Sequence, residues 1–453
     1  MSGALVLFTR DLRVRDQPAL ATAVREYDVV VPAFVLDREL LRGACGSPNR
    51  LAFLLDCLGD LDDSLAERGA RLLVRRGDVI EQALRLVREF DLSAICMSED
   101  VTPYARRRQA RLAARCERAR VRLRAFPGVT VVPAGEIVPS GGDHYRVFTP
   151  YWRVWSNAQH RPAASTPRRI PVPNTLPDPS ARATIANLTR KPPSTLLPRG
   201  GEIAGRAQLT SWLRRDLADY EQGHDDLAGA STSCLSPYLH FGCLSARTVL
   251  DRASSGVRAP AAEGFPRQLC WRDFHHQVLA ARPDMTHADY RPRGDRWRID
   301  VHASEAWRAG LTGFPIVDAG MRQLAREGFM HNRARMIVAS FLAKTLYLDW
   351  RIGTSHFARL LVDADVANNV GNWQWIAGTG NDTRPNRVLN PLRQAKRFDP
   401  RGDYVRRHVP ELEAIAGAAV HEPWLLPRGC APRDYPPPIL DPAASALRPR
   451  TQS

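Results

Sequence analysis

Lysine is almost missing from this sequence: Lys191, Lys344 and Lys396 are the only lysines among 64 basic residues, and arginine supplies the rest. Missing too is any apolar run near the roughly 18 residues that mark a membrane-spanning helix. The opening MSGALVLFTRDLR has no basic start, no long apolar stretch and no small-residue cleavage site, which argues against a secretion signal. The eight cysteines (Cys45, Cys57, Cys96, Cys116, Cys234, Cys243, Cys270 and Cys430) include no CxxC pair or other metal-ligand spacing. A zinc module and a disulfide-stapled scaffold are thereby excluded, and free thiols in a reducing compartment are expected. There is no internal repeat. The expectation is a soluble, cytoplasmic protein with no bound metal.

What is present is size and positive charge. At 453 residues the chain outgrows one hydrophobic core, so two or three domains are expected, and 44% hydrophobic with 25% charged residues is a globular composition. A net charge of +16 carried on guanidinium groups suits polyanions, because arginine can bond phosphate through two N–H groups at once. A GC-rich coding bias would also yield arginine, so charge alone is a modest pointer to nucleic acid.

Residues 1–126 alternate apolar runs with amphipathic stretches. ALVLF (4–8), VVVPAFVL (29–36), RLLVRR (71–76), SAICM (93–97) and VRLRAF (121–126) read as strands, with helical patterns between them, one closing at Gly69. This order predicts an α/β domain with a Rossmann-like parallel sheet and a binding edge at TRDLRVRD (9–16), beyond the strand C-termini. Residues 127–200 are proline-rich and read as a connector. From 201 to 453 strand patterns vanish and helical ones dominate, predicting an all-α second domain.

The segment DADVANNVGNWQWIAGTGNDTRP (363–385) is unusual in holding two tryptophans at i and i+2 among amides and carboxylates. A helix advances roughly 100° per residue, so a helix over 365–376 puts Asp365, Asn369 and Trp373 on one face and turns Trp375 away. Such a face could line a flat, polar heterocycle; it could equally be two residues satisfying backbone and one core indole. WRDF (271–274), HNRAR (331–335) and STSCLSPYLHFG (231–242) likewise each allow a plain reading, as a charged face or a helix cap.

In this order and over this length, however, TRDLRVRD, STSCLSPYLHFG, WRDF, GFPIVDAGMRQL, GFMHNRARM, DADVANNVGNWQW, TRPNRVLNP and HEPW resemble the DNA photolyase and cryptochrome family. The likeness is greatest to bacterial class I enzymes that repair cyclobutane pyrimidine dimers. The resemblance implies an N-terminal antenna-chromophore domain and a helical domain that binds FAD and DNA. By motif, Tyr220, Thr232, Ser233, Leu235 and Ser236 correspond to the phosphate side of FAD, and Arg272, Arg335, Asp363, Asp365 and Asn369 to its diphosphate, ribityl chain and ring; Gln268 and Asn332 also border the cofactor. Asn369 matches the amide beside flavin N5, and Arg335 with Asp363 a buried ion pair. Trp373, Trp350 and Trp297 correspond to a chain that carries electrons to the flavin. Trp271 and Trp375 match the pair that embraces a flipped-out lesion, with Gln268, Asn332 and Met336 as further lesion contacts and Arg333, Arg387 and Gln394 on the DNA-backbone side.

Three positions depart from the family pattern. Cys234 stands where arginine is common, Gln268 where many relatives have glutamate, and Phe329 where tryptophan is frequent. Glutamine keeps one acceptor and adds an NH2 donor but brings no charge, so it still suits a thymine edge. The implied antenna site comprises Arg10, Asp37, Asn49, Leu51 and Asp100, with 8-hydroxy-5-deazaflavin favoured over methenyltetrahydrofolate. The implied substrate is damaged DNA, double- or single-stranded, bound by a monomer associated with the nucleoid, with no membrane involvement. The alternatives are a blue-light sensor of cryptochrome type, against which the short stretch after Trp424 argues, and a (6-4) photoproduct enzyme, which uses histidine at the place of Asn332.

Overall fold

The computed structural model describes residues 2–42, 47–176, 193–229, 231–255, 263–427 and 432–443. Cys45, Cys430 and part of the expected connector (177–192) lie outside the described residues. Contacts divide the chain into two units. The first comprises Met1–Pro193, Leu197–Ala218 and Ser233–Pro283, and the second Ser194–Leu196, Asp219–Thr232 and Asp284–Ser453. This division differs from boundaries at 126 and 200. The reason is that Cys243 and the helices Glu202–Arg215 and Gly264–Ala281, though helical in pattern, are tied to the sheet-bearing part. Glu202 accepts from the Val14 amide at 2.8 Å, and the thiols of Cys57 and Cys243 lie 3.3 Å apart.

All five expected strands form: β1 (Gly3–Phe8), β2 (Val29–Asp37), β3 (Leu73–Gly77), β4 (Ala94–Ser98) and β5 (Arg122–Phe126). They make one parallel sheet in the order β3-β2-β1-β4-β5, with Gly3 opposite Val29 and Ala4 opposite Ala94. The inner strands are apolar up to their last residues, Asp37 and Ser98, as expected for a parallel sheet covered on both faces, and Leu5, Val31, Ile95 and Met97 are buried in the core with Ala83 and Leu86 of the helix Val79–Glu89. The edge strand β5 alternates Arg122 and Arg124 with apolar residues, which discourages pairing with another chain. Local chemistry starts the helices: Ser47, Asp78 and Thr102 each accept a backbone N–H as N-caps, two of them followed by proline. Gly69 adopts φ +81° just past the helix Pro48–Ala66, where a Cβ would be strained.

Chain order reverses between β1 and β4, the switch point where sheets of this kind bind ligands. Asp11 ties the two strand ends together: its buried carboxylate accepts from the Thr9 amide and Ser98 Oγ, both at 2.7 Å, and from Gln17 Nε2 at 2.5 Å. Burial pushes this carboxyl up, while Ser98, Thr9 and Arg13 pull it down.

The stretch after β5 is more than a connector. It contains the helix Phe148–Trp155, and it is stapled to Gly264–Ala281. Asp273 accepts from the amides of Val131 and Val132 (2.9 Å each) and from Trp155 Nε1 (3.0 Å), while Gln277 and Tyr145 exchange two hydrogen bonds at 2.9 Å. Prolines hid this segment from periodicity, since one short amphipathic helix among them has too few turns to stand out.

The second unit is helical. Its helices Pro315–Glu327, Asn332–Ser340, Trp350–Leu360 and Val366–Ala377 surround a core containing Trp307, Phe341, Leu342 and Trp350. Among the described residues no helix is long and apolar enough to cross a membrane, and no cluster of His, Cys, Asp and Glu could hold a metal ion.

Three buried histidines give this unit an acid sensitivity. Burial holds His331 and His356 down at about 4, from an ordinary 6.5, and lowers His408 as well. The unfolded chain therefore binds more protons than the folded one between these values, and stability is lost as pH falls from 6.5 toward 4. Thermal melting across that window is expected to show a falling midpoint that His356→Gln makes shallower; a flat profile would contradict the buried neutral imidazoles.

Candidate functional site

The helix carrying the two tryptophans begins one residue later than the sequence suggests. Asp365 has extended backbone (φ −67°, ψ 122°) and is the N-cap of Val366–Ala377, its carboxylate accepting from the Asn368 amide at 2.9 Å. It therefore does not share the helical face of Asn369 and Trp373, because a cap residue lies outside the helical turn. Those two residues do share a face, and it packs on the helix Trp350–Leu360. Asn369 Nδ2 donates to the Thr354 carbonyl at 3.0 Å. The Trp373 ring lies over Gly353, where a Cβ would come within 2.0 to 2.5 Å of the indole, so no larger residue fits. Trp350 sits one turn from Gly353 on the same helix, fully buried, its Nε1 donating to Asp289 at 2.9 Å.

Asn369 is half-buried, and its orientation matters chemically. With one N–H held by the Thr354 carbonyl, the amide is anchored and keeps its oxygen acceptor and a second N–H for a ligand. Trp375 points elsewhere, as the spacing requires: it is half-buried, with the Arg387 guanidinium 5.3 Å from its ring centre. Between the two indoles Gln374 is wholly buried and bonds the Tyr290 amide and the carbonyls of Met285 and Ala288.

Arg335 donates to Asp363 at 2.8 Å and to the Met330 carbonyl at 2.8 Å, and the Asp363 side chain is 2% exposed. The ion pair expected from the motif is present. His331, on the same segment, accepts from the Arg333 amide as an N-cap, so its ring serves the helix start. Arg333 forms a two-bond ion pair with Asp225 (3.0 and 2.5 Å) and lies over Phe398, so its guanidinium already has a protein partner. Asn332 is exposed, Met336 half-buried and Arg387 exposed. Gln394 keeps a buried Oε1 with no partner. Tyr220 is buried against His224, ring centres 5.1 Å apart, and burial raises its hydroxyl. Trp297 is half-buried beside Tyr347, at 5.0 Å. Thr232 lies in the segment Asp219–Thr232 of this unit.

In the first unit Trp271 is half-buried and stacks face to face on Phe148 at 3.7 Å and 2°. Gln268, one turn earlier on Gly264–Ala281, is exposed. Arg272 is buried and donates to the Val129 carbonyl at 2.7 Å. The Ser233 carbonyl accepts from Gln208 at 3.0 Å, and Cys234 is exposed with φ +51°. Leu235 is the N-cap of the short helix Ser236–His240 with no side-chain cap bond, so the plain capping reading of STS is not what forms. At the sheet, Arg10 pairs with Asp100 at 3.2 Å, and Asp37 accepts from Tyr104 Oη and the Glu39 amide. Asn49 and Leu51 lie in the first turn of Pro48–Ala66. Arg10, Asp37 and Asp100 each stand at or just beyond the C-terminal end of a strand, the edge expected for a ligand.

Sequence reasoning missed Lys344. One of three lysines in the chain, it is buried in the π-helical turn Phe341–Thr345, and its Nζ donates to the carbonyls of Ala377 (2.5 Å) and Pro385 (2.8 Å). It thus caps the tryptophan helix and holds the loop leading to Arg387. Its rarity was the only available signal.

Comparison with known proteins decides the family. The family model described as FAD binding domain of DNA photolyase matches residues 265–452, and that described as DNA photolyase matches 4–173. The chain is 52% identical to the deoxyribodipyrimidine photo-lyase of Streptomyces griseus, over 99% of this chain and 98% of that one. The chain belongs to the DNA photolyase family. It is also 36% identical to a cryptochrome DASH of Gloeobacter violaceus, over 96% of this chain and 93% of that one. Among solved structures it resembles a bacterial class III photolyase from Agrobacterium tumefaciens, with a TM-score of 0.92 and 32% identity over 98% of this chain and 96% of that one. These comparisons support FAD as the cofactor of this photolyase-family chain.

Proposed function

We propose that the chain is a deoxyribodipyrimidine photo-lyase that uses light to split cyclobutane pyrimidine dimers in DNA. The observation that carries this reading is Asn369. One N–H of its amide is held by the Thr354 carbonyl, which anchors the side chain and leaves its oxygen able to accept from the N5–H that a flavin bears only when reduced. The donor set around it fits FAD: the Arg335–Asp363 pair supplies charge of both signs for the ring and its edge. By resemblance, Tyr220, Thr232, Ser233, Leu235, Ser236, Gln268, Arg272 and Asp365 are the further residues proposed to hold it, with Asn332 bordering the ring. When bound and reduced, FAD supplies on illumination the one electron that opens the cyclobutane ring, and takes it back.

The protein's own task is to extrude, orient and shield the lesion. A dimer already weakens stacking and pairing, which lowers an extrusion cost of a few kcal/mol. Trp375, and Trp271 braced by Phe148, each offer an aromatic face. Gln268, Asn332 and Met336 read the bases. Arg387 is the exposed cation for phosphate, with Arg333 and Gln394 as further backbone contacts. Such contacts set register without sequence preference, so binding is lesion-specific and weakens with salt. Trp297, Trp350 and Trp373 relay electrons inward when the flavin has become oxidised.

An antenna, 8-hydroxy-5-deazaflavin in the manner of class I enzymes, is proposed at Arg10, Asp37, Asn49, Leu51 and Asp100; an absorption band of methenyltetrahydrofolate in the reconstituted protein would reassign it. The test of function is to illuminate the reduced protein with DNA holding either lesion. Loss of cyclobutane dimers under light, and none in the dark, is expected. Loss of (6-4) photoproducts instead, or tight FAD with no repair, would favour the other branches of the family.

A further inference from the structure

The loop between Trp375 and Arg387 is fastened at its base by two cations from elsewhere in the second unit. Lys344 Nζ donates to the Ala377 carbonyl at 2.5 Å and to the Pro385 carbonyl at 2.8 Å. Ala377 is the last residue of Val366–Ala377, so its carbonyl belongs to the final turn, which lacks helical partners and favours a cation. Pro385 lies on the returning limb, so one ammonium closes the loop. Burying an ammonium is costly, and Lys344 is 8% exposed; two short charge-assisted bonds help offset that cost. Arg293 adds a second tie, donating to Asn386 Oδ1 at 2.9 Å and to the Pro385 carbonyl at 3.3 Å. The crossing is tight: a Cβ on Gly378, whose φ is +80°, would come within 2.2 Å of the Pro385 carbonyl oxygen and 2.9 Å of Lys344 Nζ. Residues 378–382 are buried, whereas Thr383, Arg384, Asn386 and Arg387 are exposed. This tip turns on itself, the Arg387 amide donating to the Arg384 carbonyl at 3.1 Å, and the Arg387 guanidinium stands 5.3 Å from the Trp375 ring centre.

We propose that Lys344 is a positioning residue for damaged DNA, holding Arg387 in place beside Trp375 by closing the loop at Ala377 and Pro385. This rests on reading Trp375 as a lesion face and Arg387 as a phosphate contact. An arginine on an open loop gives up backbone and rotamer freedom when it meets a phosphate, and that loss is subtracted from affinity. A loop closed in the free protein has given up the backbone part on folding. Lys344 suits the task because its apolar stem tolerates burial while its head carries three donors, enough for two carbonyls that approach from different limbs. Its ammonium is buried and bonded to the chain's own carbonyls, so it acts on DNA through Arg387. Arg293, which is exposed, is the outer arm of the same clamp.

Equilibrium binding of the FAD-loaded protein, in the dark, to duplex DNA with one cyclobutane dimer tests this across a range of salt concentrations. Lys344→Met is expected to bind on the order of tenfold more weakly. Its plot of log affinity against log salt should be shallower by about 0.9, the slope of one lost phosphate contact. Arg387→Ala should show the same two changes, and the double variant should bind no worse than Arg387→Ala alone, because residues acting through one contact are not additive. In light, pre-reduced Lys344→Met should show a raised KM with an unchanged rate at saturating DNA. Unaltered affinity in Lys344→Met, or losses that add in the double variant, overturns the assignment. An Arg387→Ala protein that binds the dimer normally is a different failure, since it removes the phosphate contact and this inference together. If Lys344→Met does not fold, Arg293→Gln carries the same test from the surface, and additivity with Arg387→Ala there overturns the clamp. A readout without DNA is hydrogen exchange: the amides of residues 378–387 should exchange faster in Lys344→Met while those of Trp350–Leu360 stay as in the parent, and equal protection of the loop counts against it.

Discussion

Replacing Trp373 with phenylalanine is expected to abolish light-driven reduction of the oxidised flavin, while repair by chemically pre-reduced enzyme persists. Trp373 is 2% exposed, and its ring is wedged against Gly353, with Phe357 at 5.0 Å and Trp307 at 6.0 Å. Phenylalanine preserves most of that packing but is far harder to oxidise, so the substitution separates electron supply from structure. Trp297→Phe, at the half-buried outer end, should have the same effect on photoreduction. The measurement is steady illumination with an external reductant, followed by flavin absorbance, beside a dimer-repair assay on dithionite-reduced protein. Normal photoreduction in both variants would sink the tryptophan chain, and loss of repair in the pre-reduced Trp373→Phe protein would mean that the indole serves only to hold the fold.

The second large effect is expected at the buried ion pair. Removing Arg335 takes from the Asp363 carboxylate, whose side chain is 2% exposed, the guanidinium at 2.8 Å that helps offset its desolvation. Breaking such a pair by deleting one partner costs roughly 3–5 kcal/mol. If FAD binding needs the pair in place, Arg335→Ala weakens flavin affinity on the order of a hundredfold or more. Asp363→Asn removes the charge but keeps an acceptor, so it should fall between parent and Arg335→Ala. Fluorescence titration of apoprotein with FAD reads the affinity, and thermal melting of the same apoproteins reads the fold. An unchanged affinity with a lowered melting temperature would make the pair purely structural, whereas loss of both in step would leave Asp363→Asn as the discriminating variant.

The sheet and the functional helix differ in how much of them could be read beforehand. All five strands were legible because each is a short, buried apolar run bounded by helix signals, and their parallel pairing follows from the alternation. The segment around Phe148 was not, since its burial depends on Asp273 and Gln277, more than a hundred residues away. Within 363–385 the i, i+2 spacing correctly separates Trp373, in the core, from Trp375, half-exposed beneath Arg387. The role of Asp365 was misplaced by one residue, because an N-cap and a first helical residue have similar sequence signatures and differ only in backbone angle. Lys344 was invisible to sequence reasoning, since its burial against chain carbonyls has no local pattern.

By itself, then, the sequence determined the order of elements, the arginine-borne charge and which indoles could not share a face, for these follow from composition and from the fixed period of helix and strand. The tertiary structure alone decided that Asn369 is anchored to the Thr354 carbonyl, that Trp373 lies over Gly353, and that Trp297 packs beside Tyr347. Each of these depends on side chains from separate elements meeting at a few ångströms. Such meetings are set by packing and by the need to satisfy buried polar groups, neither of which has a period along the chain.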